Sequence, residues 1–335
     1  MDGIRTHVDR AEQHRAAALR WAASRSLVTK ATAMPLTAFL RLSRLRFLVG
    51  GLLGGAFGTA MAWYQSGRVD IGAYALAQAT ITSYQFMTHY ANDYFDRRSD
   101  VTAVRTPYSG GSGTLIDGSL QPVVALRAAL VCMGLGLLGT AALALAARRP
   151  DAAVAALAIC AGAWVYSAPP LRLSARGLGE LDTALVVAVL VPLCAFLAQN
   201  AVPGGRFVAS VLPGAGAMLG MMLAVEYPDR GADAAAGKRT LVVRLGTRRT
   251  TPLGIACALG ANAGFAAALT LGAPRLFGLA GLASLPFGIG LTRAYVACRD
   301  AEPRHAGRLA GRGVAFFAVV VFFGALAYAA AARLP

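Results

Sequence analysis

The sequence predicts an all-α integral membrane protein with about nine transmembrane helices. Hydrophobic residues make up 56% of the 335 residues and charged residues only 14%, whereas about a quarter of a soluble domain is charged. Apolar stretches of about 20 residues, each long enough to cross a hydrocarbon core of about 30 Å as a helix, recur along the chain. Because backbone groups in lipid must pair internally and these stretches lack the alternation of a membrane barrel, we expect helices.

The apolar stretches define the predicted spans in chain order. We expect the second and sixth spans to continue as helix into polar sequence, and the fourth to be short. The nine spans lie near residues 45–65, 72–91, 124–146, 152–167, 180–199, 206–225, 252–272, 276–296 and 313–332.

The chain divides into a basic N-terminal tail, residues 1–34, and a polytopic membrane domain, residues 35–335. The tail has no apolar run long enough for a signal-peptide core, so we expect no cleavage. Its basic residues recur every five positions from Arg5 to Lys30 and would therefore wind around a helix instead of forming one face. This pattern favours a tail attracted to anionic lipid headgroups over a defined amphipathic anchor.

The distribution of basic residues predicts the orientation. The chain has 32 Lys and Arg against 16 Asp and Glu; in a soluble protein this excess would suggest a nucleic-acid partner, but in a membrane protein cytoplasmic loops require it. We therefore expect no nucleic-acid partner, an inner (cytoplasmic) cell-membrane location with the N-terminus in the cytoplasm, and the C-terminus outside. The side assigned to the exterior carries only Arg68, Arg148, Arg149, Arg206, Arg275 and Arg333.

The acidic residues, rather than the cysteines, indicate a functional site. The five cysteines lie singly in apolar stretches without CxxC spacing, which is typical of small buried positions. Half of the 16 acids fall in three short clusters, each at a predicted cytoplasmic end of a span. The clusters are Asp93, Asp96 and Asp100; Glu180 and Asp182; and Glu226, Asp229 and Asp233.

Two of these clusters form an internal repeat. The segment 92–100 reads NDYFDRRSD and the segment 225–233 reads VEYPDRGAD, so that Tyr, Asp, Arg and Asp recur at matching positions. Both copies follow an even-numbered span and so emerge on the same membrane face. The repeat indicates that two related helical units contribute matching halves of one site.

The spacing within each copy points to a bound cation. Asp96 with Asp100, and Asp229 with Asp233, stand four residues apart, which places two carboxylates on one helix face. Like charges so placed repel each other, and a helix C-terminus adds to the penalty. Mg²⁺ prefers hard oxygen ligands and commonly bridges carboxylates to phosphate oxygens. The alternative to a cation site is that these acids are solvated helix ends paired with neighbouring arginines. Because the acid pair occurs twice in a lipid-embedded chain, we favour a Mg²⁺-diphosphate site.

Basic and glycine-rich segments accompany the acids. The segment 105–113 reads RTPYSGGSG and the segment 237–240 reads GKRT. Small turns let backbone N–H groups approach an anion, and Arg or Lys neutralises it. Beside the paired acids, these segments form the shell expected around a diphosphate leaving group.

The third acid cluster follows a proline-rich loop. We expect a helix to start near Gly179, where Glu180 and Asp182 fit helix N-terminal electrostatics and a functional role equally well. Tyr166 precedes the loop and Arg172 lies within it, and an aromatic ring at a cavity mouth can stabilise a cation.

These motifs together resemble the UbiA-type membrane prenyltransferases over about residues 36–332. The resemblance rests on NDYFD with Asp100, on YSAPP and GLGE within 166–180, and on Asp229 with Asp233 followed by GKRTLVVRLG. It implies a helical bundle around a central cavity that opens laterally to lipid. The implied substrates are a prenyl diphosphate and an aromatic acceptor, and the implied cofactor is Mg²⁺.

The resemblance also implies roles for individual residues, with Asp96 and Asp229 central to catalysis. The implied metal ligands are Asn92, Asp96, Asp100, Asp229 and Asp233. The implied diphosphate-binding residues are Arg44, Arg105, Ser109, Lys238 and Arg239, and Tyr166 and Arg172 are expected near the reactive carbon.

Within the family, the motifs look most like the menaquinone branch, which prenylates 1,4-dihydroxy-2-naphthoate. Similar motifs occur in relatives that prenylate 4-hydroxybenzoate, haem or secondary metabolites. Many relatives have Asn and Arg where this chain has Val225 and Pro228, so the ligand count of the second motif stays open, with Glu226 as a possible substitute.

A secondary transporter or channel is the competing class, since inverted repeats and intramembrane charges are common there. Against this class, both acid copies emerge on the same membrane face, so the repeat is parallel and not inverted. A catalytically inactive relative is a third reading, and the complete first acid motif argues against it.

Overall fold

The computed structural model describes residues 36–101, 107–108, 110–299 and 303–334. The predicted basic tail lies outside these residues. All regular secondary structure within them is helical. The helices are α1 (Leu36–Ser43), α2 (Leu48–Ser66), α3 (Ile71–Asp96), α4 (Pro122–Leu145), α5 (Pro150–Val165), α6 (Gly179–Leu185), α7 (Val191–Ala198), α8 (Gly205–Glu226), α9 (Arg230–Ala235), α10 (Leu241–Thr270), α11 (Arg275–Cys298) and α12 (Pro303–Ala331).

Seven helical segments in the described part of the chain are long and apolar enough to cross a membrane. They correspond to the first, third and fifth to ninth predicted spans. Helix α5, the fourth predicted span, is apolar but has only 16 residues. Helix α3, the second, has 26 residues, about 39 Å of helix, and is not among the seven. The all-helical membrane fold is confirmed, and the count of nine crossings stays a prediction.

The helices form two groups that α2 joins. Helices α3, α4, α5 and α7 pack around a core that contains Tyr84 and Ile159. Helices α8, α10, α11 and α12 pack around a second core that contains Phe277 and Tyr328. Helix α2 contacts α3 and α7 on one side and α12 on the other. Helix α6 also contacts α8, so the two groups meet at a second place and the helices surround a central space.

Small residues allow this close packing. A Cβ atom at Gly136 would lie 2.3 Å from the ring of Tyr84, and one at Gly254 would lie 2.2 Å from the ring of Tyr295. Glycine at these positions lets a tyrosine pack directly against a neighbouring helix backbone, as is common between membrane helices.

The fifth predicted span is one helical segment but not a regular α-helix throughout. A π-helical turn over Val186–Leu190 lies between α6 and α7 and ends two residues before Pro192. Proline has no backbone N–H to donate, and π-turns occur where the regular hydrogen-bond ladder is interrupted. Val186 and Val187 in this turn line the central cavity.

The two acid motifs end their helices differently. Helix α3 continues to Asp96 as expected, but α8 stops at Glu226, one residue beyond the predicted span, so the expectation that the sixth span continues as helix into polar sequence was wrong beyond that residue. Pro228 explains the break, because it has no backbone N–H to donate to the carbonyl four residues earlier and its ring clashes with that carbonyl. Asp229 and Asp233 instead begin the separate short helix α9. Their carboxylates therefore lie at a helix N-terminus, which favours negative charge and does not penalise it.

Candidate active site

A cavity of about 340 Å³ lies inside the ring of helices, bounded by α2, α3, α6, α8 and α12. One part of its wall is apolar and includes Leu53, Val187, Met218, Met222 and Phe317. Another part is polar and contains both acid motifs. The predicted site residues that line it are Arg44, Asn92, Asp96, Asp100, Tyr166, Asp229, Asp233 and Lys238.

Asp96 is the centre of the first motif. Its side chain is only 5% exposed. Asp96 is the last residue of α3 and lines the cavity. Its Oδ2 accepts hydrogen bonds from Asn92 Nδ2 at 2.8 Å and from Lys238 Nζ at 3.1 Å. Its Oδ1 is buried and accepts no hydrogen bond, although Arg172 Nη2 lies 3.8 Å away. Asn92 Nδ2 also donates to Ser167 Oγ at 3.1 Å, which ties α3 to the proline-rich loop.

Arg44 positions the start of the first motif. It has a left-handed backbone conformation, with φ of 48°, at the turn between α1 and α2. Its guanidinium donates to Asn92 Oδ1 at 3.3 Å and lies 3.6 Å from Asp93 Oδ1. Asp93 is 2% exposed and also accepts the backbone N–H of Ser112. Asp93 therefore anchors the motif within the protein, a role that its sequence position alone did not reveal.

Lys238 connects the two motifs. Its Nζ lies 3.4 Å from Asp233 Oδ1 in addition to its hydrogen bond with Asp96. The backbone N–H of Lys238 donates to the carbonyl of Asp233 at 2.8 Å, and that of Asp233 donates to the carbonyl of Asp229 at 2.8 Å. Burial alone would lower the pKa of Lys238, but the neighbouring carboxylates outweigh it and raise the pKa above its usual value. The lysine is thus held positively charged between the two acid motifs.

The glycine-rich loop approaches the same carboxylates. The N–H of Gly110 donates to Asp229 Oδ2 at 3.1 Å, and the N–H of Ser112 donates to Asp93 Oδ2 at 3.1 Å. Gly111 has φ of 69°, and a Cβ atom there would lie 2.3 Å from Asp100 Oδ2. We expected these amides to face a diphosphate; in the structure they face protein carboxylates from both motifs. Only glycine provides this conformation together with this close approach.

Glu180 fixes the segment that carries Lys238. It is 1% exposed, and its Oε1 accepts the N–H of Leu241 at 2.6 Å, at the start of α10. Thr240 caps the same helix by accepting the N–H of Val243 at 3.3 Å. From the sequence, Glu180 fitted helix N-terminal electrostatics and a functional role equally well. Its structural role is to bind the N-terminus of a different helix, which only tertiary contacts reveal.

The remaining predicted residues divide into three groups. Arg172 does not line the cavity but lies within ion-pair distance of Asp96. Arg239 has an exposed side chain outside the lining, and its backbone N–H donates to Ala175. Arg105 and Ser109 lie outside the described residues. Gln85 and His89 also line the cavity but were not recognised from the sequence, because they lie within an apolar span. Asp182, for which the sequence left a functional role open, lines the cavity as well.

Comparison with known proteins identifies the family. A family model described as the UbiA prenyltransferase family matches residues 51–320, which is most of the chain. The chain belongs to the UbiA prenyltransferase family. No curated protein matches it by sequence.

Solved structures of UbiA homologues share the fold. A UbiA homologue from Archaeoglobus fulgidus bound to GPP and Mg²⁺ has a TM-score of 0.66 at 15% identity, covering 88% of this chain and 99% of that one. The apo structure of a UbiA homologue from Aeropyrum pernix K1 has a TM-score of 0.61 at 16% identity, covering 81% of this chain and 96% of that one. A structure described for digeranylgeranylglyceryl phosphate synthase has a TM-score of 0.61 at 15% identity, covering 88% and 99%.

The polar end of the cavity fits the Mg²⁺ that the family implies. No three His, Cys, Asp or Glu side chains in the described ranges stand close enough to hold a metal by themselves. However, Asp96 Oδ1 is a buried carboxylate oxygen without a hydrogen bond. Burial, followed by the charge of Asp96, raises the pKa of Asp100 to about 7, so a cation would stabilise its charged form. A few carboxylates completed by phosphate oxygens and water are a typical Mg²⁺ environment.

Proposed function

We propose that this UbiA family protein transfers a prenyl group from a prenyl diphosphate to an aromatic acceptor inside the membrane, with Mg²⁺ as cofactor. The observation that supports this most strongly is Lys238, whose ammonium lies between Asp96 of the first acid motif and Asp233 of the second. The two copies of the repeat therefore meet at one end of a cavity whose other wall is apolar. That arrangement suits a substrate with a diphosphate head and a hydrocarbon tail.

The proposed metal ligands are Asn92, Asp96, Asp100, Asp229 and Asp233. When bound, Mg²⁺ would supply positive charge that stabilises the departing diphosphate. Lys238 and Arg44, both on the cavity wall, would bind the same group and hold it at the polar end. Charges fixed in advance stabilise a transition state more effectively than mobile water does.

Tyr166 and Arg172 are proposed to act near the reacting carbon. Tyr166 lines the cavity and lies close enough to Asp96 and Glu226 to interact electrostatically with both. Its ring can stabilise positive charge that develops on the allylic carbon as the C–O bond breaks. Arg172, near Asp96, is placed to balance negative charge there. The apolar part of the cavity wall would keep out water that competes with the acceptor.

Among acceptors, we propose a naphthoate of the menaquinone type, on the basis of the NDYFD and GKRTLVVRLG segments. 4-Hydroxybenzoate, haem precursors and secondary metabolites are the alternatives within the same reaction class. We further propose an inner-membrane location with the N-terminus and the polar end of the cavity on the cytoplasmic side, because the basic residues concentrate there.

Incubation of purified protein in lipid with labelled prenyl diphosphates of several lengths and a panel of aromatic acids tests this proposal. Mass spectrometry of the products should reveal one prenylated acceptor, and EDTA should stop its formation. Release of product in EDTA, after exhaustive metal removal, would contradict the Mg²⁺ assignment. Absence of any prenylated product across the panel would contradict the aromatic acceptor.

A further inference from the structure

His89 is a buried histidine in the cavity wall for which the proposed reaction has no role so far. It is 9% exposed and lies on α3. Gln85, His89, Asn92 and Asp96 follow one another at spacings of four, three and four residues, so they share one helix face, and all four line the cavity. His89 precedes the proposed metal ligand Asn92 by three residues, about 4.5 Å along the helix axis.

The tautomer of His89 follows from its hydrogen bond. Nδ1 lies 3.1 Å from the backbone carbonyl oxygen of Ser43. A carbonyl can only accept, so Nδ1 must donate, and a neutral ring then carries its lone pair on Nε2. Within the part of the chain that the structure describes, Nε2 has no partner. The rings of Phe47 and Phe86, with centroids 6.1 and 6.3 Å away, pack edge-on against the imidazole and fix its orientation.

The neighbouring polar groups on this wall are either engaged or buried within the protein. Gln85 Oε1 has no hydrogen bond, but it is buried against Gly51. Gln85 Nε2 donates to the carbonyl of Phe47 at 2.7 Å. The hydroxyl of Thr88 donates to the carbonyl of Tyr84 at 2.9 Å. Nε2 of His89 is thus a hydrogen-bond acceptor that a ligand in the cavity can reach. The complementary ligand group must be a donor.

Only one of the two proposed substrates can supply that donor. Ionised diphosphate oxygens accept hydrogen bonds and do not donate them, and a prenyl tail has no hydrogen-bonding group. The acceptor is therefore the substrate that contacts His89. We propose that Nε2 of His89 accepts a hydrogen bond from a hydroxyl group on the aromatic acceptor, so that the enzyme selects hydroxylated aromatics and orients their electron-rich ring carbons towards the polar end. This inference rests on the proposed function and narrows its acceptor class.

The test compares acceptors that differ only at the hydroxyl. Purified enzyme with labelled geranyl diphosphate and Mg²⁺ receives 4-hydroxybenzoate or 4-methoxybenzoate, and separately 1,4-dihydroxy-2-naphthoate or its dimethyl ether. We expect kcat/KM for the methyl ether to be at least about 100-fold lower, since sites built to bind a hydroxyl reject analogues that lack it. Equal use of hydroxylated and methylated acceptors would overturn the proposal.

The variant His89→Asn isolates the contribution of Nε2. Asparagine keeps a side-chain N–H that can reach the Ser43 carbonyl but has no counterpart of Nε2. We expect the KM for the hydroxylated acceptor to rise between about 10- and 100-fold, with the KM for geranyl diphosphate unchanged and the preference over the methyl ether reduced accordingly. Thr88→Val, which changes the adjacent wall residue, should leave the acceptor KM unchanged. An unaltered preference in His89→Asn would overturn the proposal.

The outcomes separate this inference from the proposed function. If the wild type prenylates no acceptor, the proposed function fails and the role of His89 fails with it. If the wild type prenylates an acceptor but His89→Asn does so with the same preference, only the role of His89 fails. If His89→Asn no longer binds geranyl diphosphate and Mg²⁺, the variant is disrupted, and the comparison of hydroxylated and methylated acceptors on the wild type decides.

Discussion

The Nζ atom of Lys238 lies 3.1 Å from Oδ2 of Asp96, although the two residues are 142 positions apart in the chain. The contact joins the segment after the second acid motif to the helix end that carries the first. Both side chains are almost fully buried, with 11% of Lys238 and 5% of Asp96 exposed. The ammonium, which also lies 3.4 Å from Asp233 Oδ1, therefore links the two acid motifs at the polar end of the cavity.

Removing either central carboxylate should abolish prenyl transfer. Asp96→Ala and Asp229→Ala are each expected to lower kcat by at least about 100-fold at saturating Mg²⁺, because each removes a proposed ligand from one motif. Asp151→Ala is the matched control, since this exposed acid begins α5 at the end opposite Tyr166. Labelled-product assays measure the rates, and melting curves confirm folding. Near-normal rates in either site variant would contradict the metal assignment.

Loss of Lys238 should destabilise the metal-free protein. In Lys238→Met, the carboxylates of Asp96 and Asp233 lose their shared cation. Breaking a buried ion pair from one side typically costs about 3–5 kcal/mol, so the melting temperature in EDTA should fall clearly below that of the wild type. Mg²⁺ should recover part of the loss by replacing the missing charge. A melting temperature equal to the wild type in EDTA would show that the carboxylates do not depend on Lys238.

Glu180 should act as a positioning residue for the segment that carries Lys238. Glu180→Ala leaves the N–H of Leu241 without its buried acceptor, at a cost of about 1–3 kcal/mol in the free energy of unfolding. The KM for the prenyl diphosphate should rise while the acceptor KM changes little. Glu180→Gln keeps an acceptor oxygen and should restore most of both properties. Equal defects in the two variants would indicate that the charge of Glu180, not its hydrogen bond, matters.

Mg²⁺ binding should weaken at acid pH because of Asp100. Burial and the charge of Asp96 raise the pKa of Asp100 to about 7, and a metal binds only the deprotonated carboxylate. Below pH 7 protons therefore compete with the metal, and the half-saturating Mg²⁺ concentration should rise about tenfold per pH unit before levelling off above about pH 8. Asp100→Asn should flatten this dependence. A profile in the wild type that is flat between pH 6 and 8 would contradict the role of Asp100.

The sequence predicted the fold class and the first acid motif because both depend on local patterns. Apolar stretches identify membrane helices directly, and α3 carries NDYFD to the cavity as its periodicity implies. The end of α8 was predicted wrongly although Pro228 is visible in the sequence, since the repeat with the first motif suggested a continuous helix. The proline overrode that similarity and moved Asp229 and Asp233 to a separate helix.

The partners of Glu180 and His89 could not be predicted. Glu180 binds the N–H of Leu241, which is 61 positions away, and His89 binds the carbonyl of Ser43 across a helix interface. Both contacts are set by tertiary packing, which no local pattern encodes. His89 also lies within an apolar span, where a lone histidine is easily taken for a buried core residue.

The central claim is that two acid motifs on separate helices jointly hold one Mg²⁺-diphosphate. Equilibrium binding of labelled geranyl diphosphate, with and without Mg²⁺, to the wild type, Asp96→Asn, Asp233→Asn and the double variant tests it most directly. A joint site predicts that each single variant loses nearly all Mg²⁺-dependent binding and that the double variant loses little more, because the motifs are coupled. Losses that simply add, or full Mg²⁺-dependent binding in either single variant, would contradict the claim.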